Sequence, residues 1–150
     1  MKRFNFLAVL IFTFILSSCG GSHPDKSKTI EAKANDKNIS KIEVIDFHAT
    51  HRCKTCKAIE ANTKYTLNTY FPNELKEGKI TFDIINVDEE KNYDMAERFE
   101  AVGTALFLNV IANGQEKHID LTDFAFLKGN EKDEFSKELK SKIETEIKNL

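Results

Sequence analysis

Residues Ile45-Asp46-Phe47-His48-Ala49-Thr50-His51-Arg52-Cys53-Lys54-Thr55-Cys56-Lys57 carry the pattern that decides how this chain folds. Ile42, Val44, Ile45 and Phe47 make a short β-rich run, the mark of a buried strand. His48 to Arg52 is a polar loop. From Cys53 the period turns helical, with Cys56, Ile59 or Glu60, Thr63, Leu67 and Tyr70 near one face. A CxxC pair thus follows a strand and opens a helix. Unpaired N–H groups and the helix dipole favour an anion at that end. Arg52, Lys54 and His51 are candidate tuning residues, because positive charge beside Cys53 favours its thiolate. Cys56 lies one turn further in, on the same face and more shielded. The division suits attack by Cys53 and resolution by Cys56.

Downstream, Pro72-Asn73 breaks the helix, and Glu74 to Gly78 reads as a short helical turn or loop. Ile80 to Val87 is the next strand. Asp88-Glu89-Glu90 marks a helix start, since acidic residues suit the positive N-terminal end. Met95, Ala96, Phe99 and Val102 form its expected apolar face, and Gly103 ends it. Ala105 to Ala112 is a third strand. Asn113-Gly114 predicts a type I′ hairpin turn into a returning strand, Gln115 to Leu121. Phe124-Ala125-Phe126-Leu127 falls in an irregular stretch and is expected to join the core. A last helix carries Phe135, Leu139, Ile143, Ile147 and Leu150 on one stripe. The order β-α-β-α-β-β-α requires a parallel right-handed crossover, then antiparallel strands. The expected fold is α/β, a four-stranded mixed sheet with helices on both faces.

Upstream, Met1-Lys2-Arg3 is a positive n-region and Phe4 to Leu16 an apolar run too short to span a bilayer comfortably. Leu16-Ser17-Ser18-Cys19 resembles the lipobox of bacterial lipoproteins. That resemblance implies a signal peptide over residues 1–18, lipidation of Cys19, and a polar tether over 19–40 ahead of a domain over 41–150. The expected location is the bacterial cell envelope, anchored to the outer or inner membrane, with the domain outside the cytoplasm.

The 150 residues include three cysteines, too few for a disulfide framework. Net charge is -2, or -4 without Lys2 and Arg3, and no clustered basic surface favours nucleic acid. Twelve Phe and no Trp predict a Phe-rich core. The domain is expected to be monomeric.

Ile45-Asp46-Phe47, a loop, and Cys53-x-x-Cys56-Lys57 resemble the active-site strand and helix of thioredoxin-fold proteins. The resemblance implies that Asp46 is a buried acid assisting proton transfer to Cys56; the sequence leaves open whether Asp46 instead faces water. Here the loop is one residue longer, and His48 stands where thioredoxins usually have Trp. Thioredoxins also place a cis-proline opposite the CxxC. Gly103-Thr104-Ala105 occupies that region here, making Thr104 and Ala105 candidate groove residues, with trans peptide bonds expected.

More narrowly, Phe47-His48, Arg52 to Glu60, Asn86-Val87-Asp88-Glu89 and Leu121 to Phe126 resemble thioredoxin-like lipoproteins of the nitrophenyl compound nitroreductase subunit (ArsF) family.

The leading expectation is a thiol–disulfide oxidoreductase with catalytic Cys53, Cys56 and Asp46. It needs no cofactor beyond its own redox-active disulfide, and its partners are protein thiols, disulfides or a redox protein. Basic neighbours of Cys53 predict a disulfide more oxidising than the roughly -270 mV of thioredoxin. Two alternatives stand beside this. One is a Zn²⁺ or Cu(I) module using Cys53, Cys56, His48 and His51, which the missing cis-proline strengthens. The other is an accessory subunit that uses the fold only for docking.

Overall fold

Strand β1 (Lys41–His48) lies inside the sheet and ends at the loop that leads to Cys53. The computed structural model describes residues 40–150. The expected signal segment, Cys19 and the expected tether to residue 39 lie outside the described residues. After β1 come α1 (Lys54–Tyr70), α2 (Pro72–Lys76), β2 (Ile80–Asn86), a 3₁₀ turn (Glu90–Asn92) and α3 (Tyr93–Arg98). Strands β3 (Ala105–Ala112) and β4 (Gln115–Asp120) then precede α4 (Thr122–Lys128) and α5 (Lys132–Ile147).

The four strands lie in the order β2-β1-β3-β4. β1 runs parallel to β2 and antiparallel to β3, and β3 is antiparallel to β4. This is the mixed sheet expected from the sequence, in thioredoxin-like order. Asn113 and Gly114 take φ of 53° and 74°, the left-handed pair a type I′ turn demands. Among the described residues no peptide bond is cis.

Alternation along β1 assigns its side chains to two cores. Ile42 and Val44 join Leu106, Leu108 and Val110 beneath Ile59 and Leu67 of α1 and Phe135, Leu139 and Ile143 of α5. On the other face Ile45 and Phe47 pack with Phe99, Ala101 and Phe107. There the rings of Phe47, Phe99 and Phe107 stand 5.3–5.9 Å apart, centroid to centroid. Helices therefore cover both faces, and the Phe-rich core is present. With helices over both faces, Asp46 in β1 is cut off from water.

Several local expectations change. The segment after the hairpin is helix α4, not irregular chain. Its seven residues are too few for helical periodicity to stand out in sequence. It is started by Asp120, whose side chain accepts from Thr122 N at 2.8 Å. Ala125 is buried and Phe124 stacks on Phe135, but Phe126 and Leu127 are exposed, so only half of that tetrapeptide serves the core. Tyr70 is also exposed at the end of α1, and Val102 is 98% exposed because α3 stops at Arg98, short of it. Gly129, just past α4, is a site of close approach: a Cβ there would come within 2.6 Å of Ala125 O and 2.9 Å of Ile59 Cγ1. That proximity brings α4 against the start of α1, where Asn130 Nδ2 donates to Thr55 Oγ1 at 3.0 Å. Among the described residues no helix is long and apolar enough to cross a membrane.

Candidate active site

Cys53 is the N-cap of α1. Its φ of -71° and ψ of 168° are extended, and its Sγ accepts from Cys56 N at 3.0 Å. A cap needs an acceptor on its side chain to meet an N–H that the first turn leaves unpaired, and sulfur supplies it here. Cys53 and Cys56 form a disulfide with their Cα atoms 5.1 Å apart. Cys53 is exposed and Cys56 is buried. The difference in shielding expected from position, with Cys53 at the surface and Cys56 one turn further in, is the one the fold builds.

The loop that delivers Cys53 is tied to the next crossover. Thr50 N donates to Asp88 Oδ2 at 2.7 Å, and Asn86 Nδ2 donates to Thr50 Oγ1 at 3.2 Å. Asn92 Nδ2 in turn holds the Asn86 carbonyl at 2.8 Å. The hydrogen bond from Thr50 N, reinforced by the Thr50 hydroxyl, holds the Asp88 carboxyl below the usual carboxylate range. Sequence reading took Asp88 as a helix start and as part of the Asn86-Val87-Asp88-Glu89 stretch that carries the lipoprotein resemblance. Its tie to Thr50 spans 38 positions, and no local signal announces it.

Asp46 lies on the face of β1 that α1 covers, and it is fully buried. In the sheet its neighbours are Ile84 on β2 and Leu106 on β3, both apolar. Neither carboxyl oxygen has a hydrogen-bond partner among the described residues. Removal from water disfavours the charged form. Burial, opposed by the Arg52 guanidinium and reinforced by Glu60, pushes the Asp46 carboxyl up from 3.8 to about 7. A carboxyl with that value exchanges its proton near neutral pH, which is what a proton-transfer group requires.

Arg52 does not point its charge at the solvent side of Cys53. Its Nη1 pairs with Glu60, and its Nη2 donates to the Cys56 carbonyl at 3.2 Å while lying 3.5 Å from Asp46 Oδ2. The guanidinium is thus held between two carboxyl groups, Asp46 and Glu60. Lys54, exposed on the first turn of α1, and the helix terminus itself remain beside the sulfur. Glu60 was not singled out as a site residue. Its signal was only its place one turn beyond Cys56.

His51 is exposed and, with Thr50, Arg52, Cys53 and Lys57, lines an open cleft of about 540 Å³ against the disulfide. Thr104 and Ala105 line a different cleft, with Arg98, Phe99, His118 and Asp120, and neither cysteine belongs to it. The alternative metal set is not assembled either. Both sulfurs are in the disulfide, and His48 Nδ1 lies 2.9 Å from the Ala49 carbonyl. Among the described residues no group of three or more His, Cys, Asp or Glu side chains is arranged to hold a metal ion.

No protein-family model matches the chain, and no curated protein matches it. Solved structures do overlap with it. Mitochondrial thioredoxin 3 from Saccharomyces cerevisiae, in its oxidised form, is 25% identical with a TM-score of 0.39, over 61% of this chain and 78% of its own. Oxidised thioredoxin O2 from Arabidopsis thaliana is 22% identical with a TM-score of 0.39, over 59% and 70%. Thioredoxin from Fasciola hepatica is 17% identical with a TM-score of 0.38, over 59% and 76%. The thioredoxin-like architecture of this chain stands on its own strand order, strand directions and helix placement.

Proposed function

We propose that this chain is a membrane-anchored lipoprotein that carries out thiol–disulfide exchange outside the cytoplasm through Cys53 and Cys56. The observation that carries the chemistry is a disulfide between an exposed N-cap cysteine and a buried partner, on a helix laid over a buried acid. In the reducing direction, the Cys53 thiolate attacks a substrate disulfide. One substrate sulfur leaves as a thiolate, and the other is held as a mixed disulfide. Cys56 loses its proton, for which the Asp46 carboxylate is the acceptor, and its thiolate attacks Cys53 Sγ. The second substrate thiolate leaves, and the Cys53–Cys56 disulfide remains. Two electrons have passed from the protein dithiol to the substrate, and a dithiol donor restores the starting state. The oxidising direction reverses these steps.

The anchoring and the compartment rest on Leu16-Ser17-Ser18-Cys19 and the apolar run before it. An oxidising compartment suits a dithiol that cycles. The resemblance to nitroreductase-subunit lipoproteins belongs to the same proposal, with the dithiol as the group such a subunit would contribute.

The test is equilibration of the full-length chain across glutathione redox buffers, alkylation of free thiols, and mass measurement. A reversible two-electron transition is expected, absent in Cys53→Ser. Thiols that stay wholly oxidised or wholly reduced across the series would remove this reading. The same midpoint tests the charge argument, which places it above about -270 mV.

A further inference from the structure

One guanidinium joins the buried acid to the resolving cysteine. Arg52 Nη2 reaches the carbonyl of Cys56 at 3.2 Å and Asp46 Oδ2 at 3.5 Å, while Nη1 pairs with Glu60. The arginine side chain is only 16% exposed, and Asp46 is fully buried. Arg52 precedes the nucleophile in sequence, but its head group lies over the turn that carries Cys56. Glu60 sits one helical turn beyond Cys56 on the same face, placed to hold the arginine there. Asp46 has no other polar support: Ile84 and Leu106 flank it in the sheet, and both its oxygens lack hydrogen bonds.

We infer that Arg52, anchored by Glu60, is a positioning residue for the second half of the exchange, aligning Cys56 and Asp46 for resolution of the mixed disulfide and leaving the attack by Cys53 alone. The inference rests on the exchange reading above. Its physical basis is that opening the disulfide removes the covalent bond holding Cys56 in place. After that, Arg52 still links the first turn of α1 to the strand, through its contacts with the Cys56 carbonyl, Glu60 and Asp46, beside the apolar packing of Ile59 against Val44. A fixed guanidinium also keeps a stationary counter-charge beside the ionised Asp46 carboxyl, the form that can accept the proton, which a mobile side chain does not. Small misplacements of reacting groups cost large factors in rate.

The experiment separates the two steps. Reduced full-length chain is mixed with a dipyridyl disulfide, a neutral probe that releases one pyridinethione when Cys53 attacks and a second when Cys56 resolves. In Arg52→Gln the second release is expected to slow by about tenfold or more, with the first within about twofold of the unsubstituted chain. Glu60→Gln, which keeps the arginine, is expected to slow the second release by about threefold, again sparing the first. Arg52→Lys keeps the charge but not the two-pronged geometry, and should recover only part of the rate. A purely structural role would lower the unfolding midpoint in denaturant without changing the ratio of the two phases. Equal slowing of both releases, or no change in the second, would overturn the inference. If Arg52→Gln does not fold, Glu60→Gln decides the matter alone. An unsubstituted chain that shows no first release would instead overturn the exchange reading, so the two failures are distinct.

Discussion

Asp46 and Glu43 are carboxylates on the same strand, and the fold treats them in opposite ways. Glu43 lies on the face away from α1 and is supported: Lys41 Nζ is 2.7 Å from it, and Asn109 Nδ2, opposite it on β3, donates at 2.8 Å. Its partial burial works against the charge, but Lys41 and Asn109 outweigh that and hold its carboxyl below the usual range. Asp46 lies deeper, has no hydrogen bond, and is pushed up to about 7 by desolvation despite Arg52. The contrast separates two uses of a buried acid. A carboxylate with its hydrogen bonds met is part of the scaffold. One left without them beside the Cys53–Cys56 disulfide is held at a cost in stability, and that cost makes it ready to take a proton.

The largest effect that would break this comparison concerns Asp46. Its carboxyl is raised above its unfolded value, so the native state binds the extra proton between about pH 4 and pH 7. Stability is then highest below that window, falls as pH rises through it, and is level above it. Asp46→Asn removes the buried charge and should stabilise the chain by roughly 2–4 kcal/mol at pH 8, with little gain at pH 3.5. Guanidinium unfolding at the two pH values reads both quantities. No gain at pH 8 would mean that the carboxylate is better supported than its lack of hydrogen bonds indicates.

Next in size is Glu43→Gln, with the reverse sign. A lowered carboxyl contributes stability above its unfolded value and loses it as pH falls through the folded one. The substitution should cost about 1–2 kcal/mol at pH 7 and almost nothing at pH 3, with both releases of the dipyridyl assay unchanged. An effect on exchange would erase the division between scaffold and site. The smallest effect is a coupling. Asn109 is fully buried and also donates to Glu116 at 3.3 Å. Asn109→Ala and Glu43→Gln in a double-mutant cycle should share about 0.5–1.5 kcal/mol, whereas Asn109→Ala with Asp46→Asn should be additive.

How much was legible beforehand follows from the range of each interaction. The strand–loop–helix stretch from Ile42 to Leu67 declared itself by a change of period, and β3 and β4 by the Asn113-Gly114 turn. Both signals are local. Helix α4 was missed because two turns with one fully buried residue carry too little pattern. Val102 was misassigned because the end of α3 at Arg98 is set by packing around Phe99, not by the glycine further on. The different exposure of the two cysteines was legible, since a helix N-terminus distinguishes its cap from a residue one turn inside.

By itself, the sequence determined the element order, the mixed sheet, the place of Cys53 and Cys56 at a helix start, and the presence of an acid on the preceding strand. These follow from hydrophobic period and turn chemistry, which act between near neighbours. Only the tertiary structure decided that Asp46 is sealed from water without hydrogen bonds, and that Arg52 turns inward to Glu60 and Cys56 instead of serving the exposed sulfur. It likewise decided that Thr104 and Ala105 line another cleft. Each of these depends on which distant elements cover a side chain, because burial and the effective dielectric around a charge belong to the assembled layers and not to any one segment.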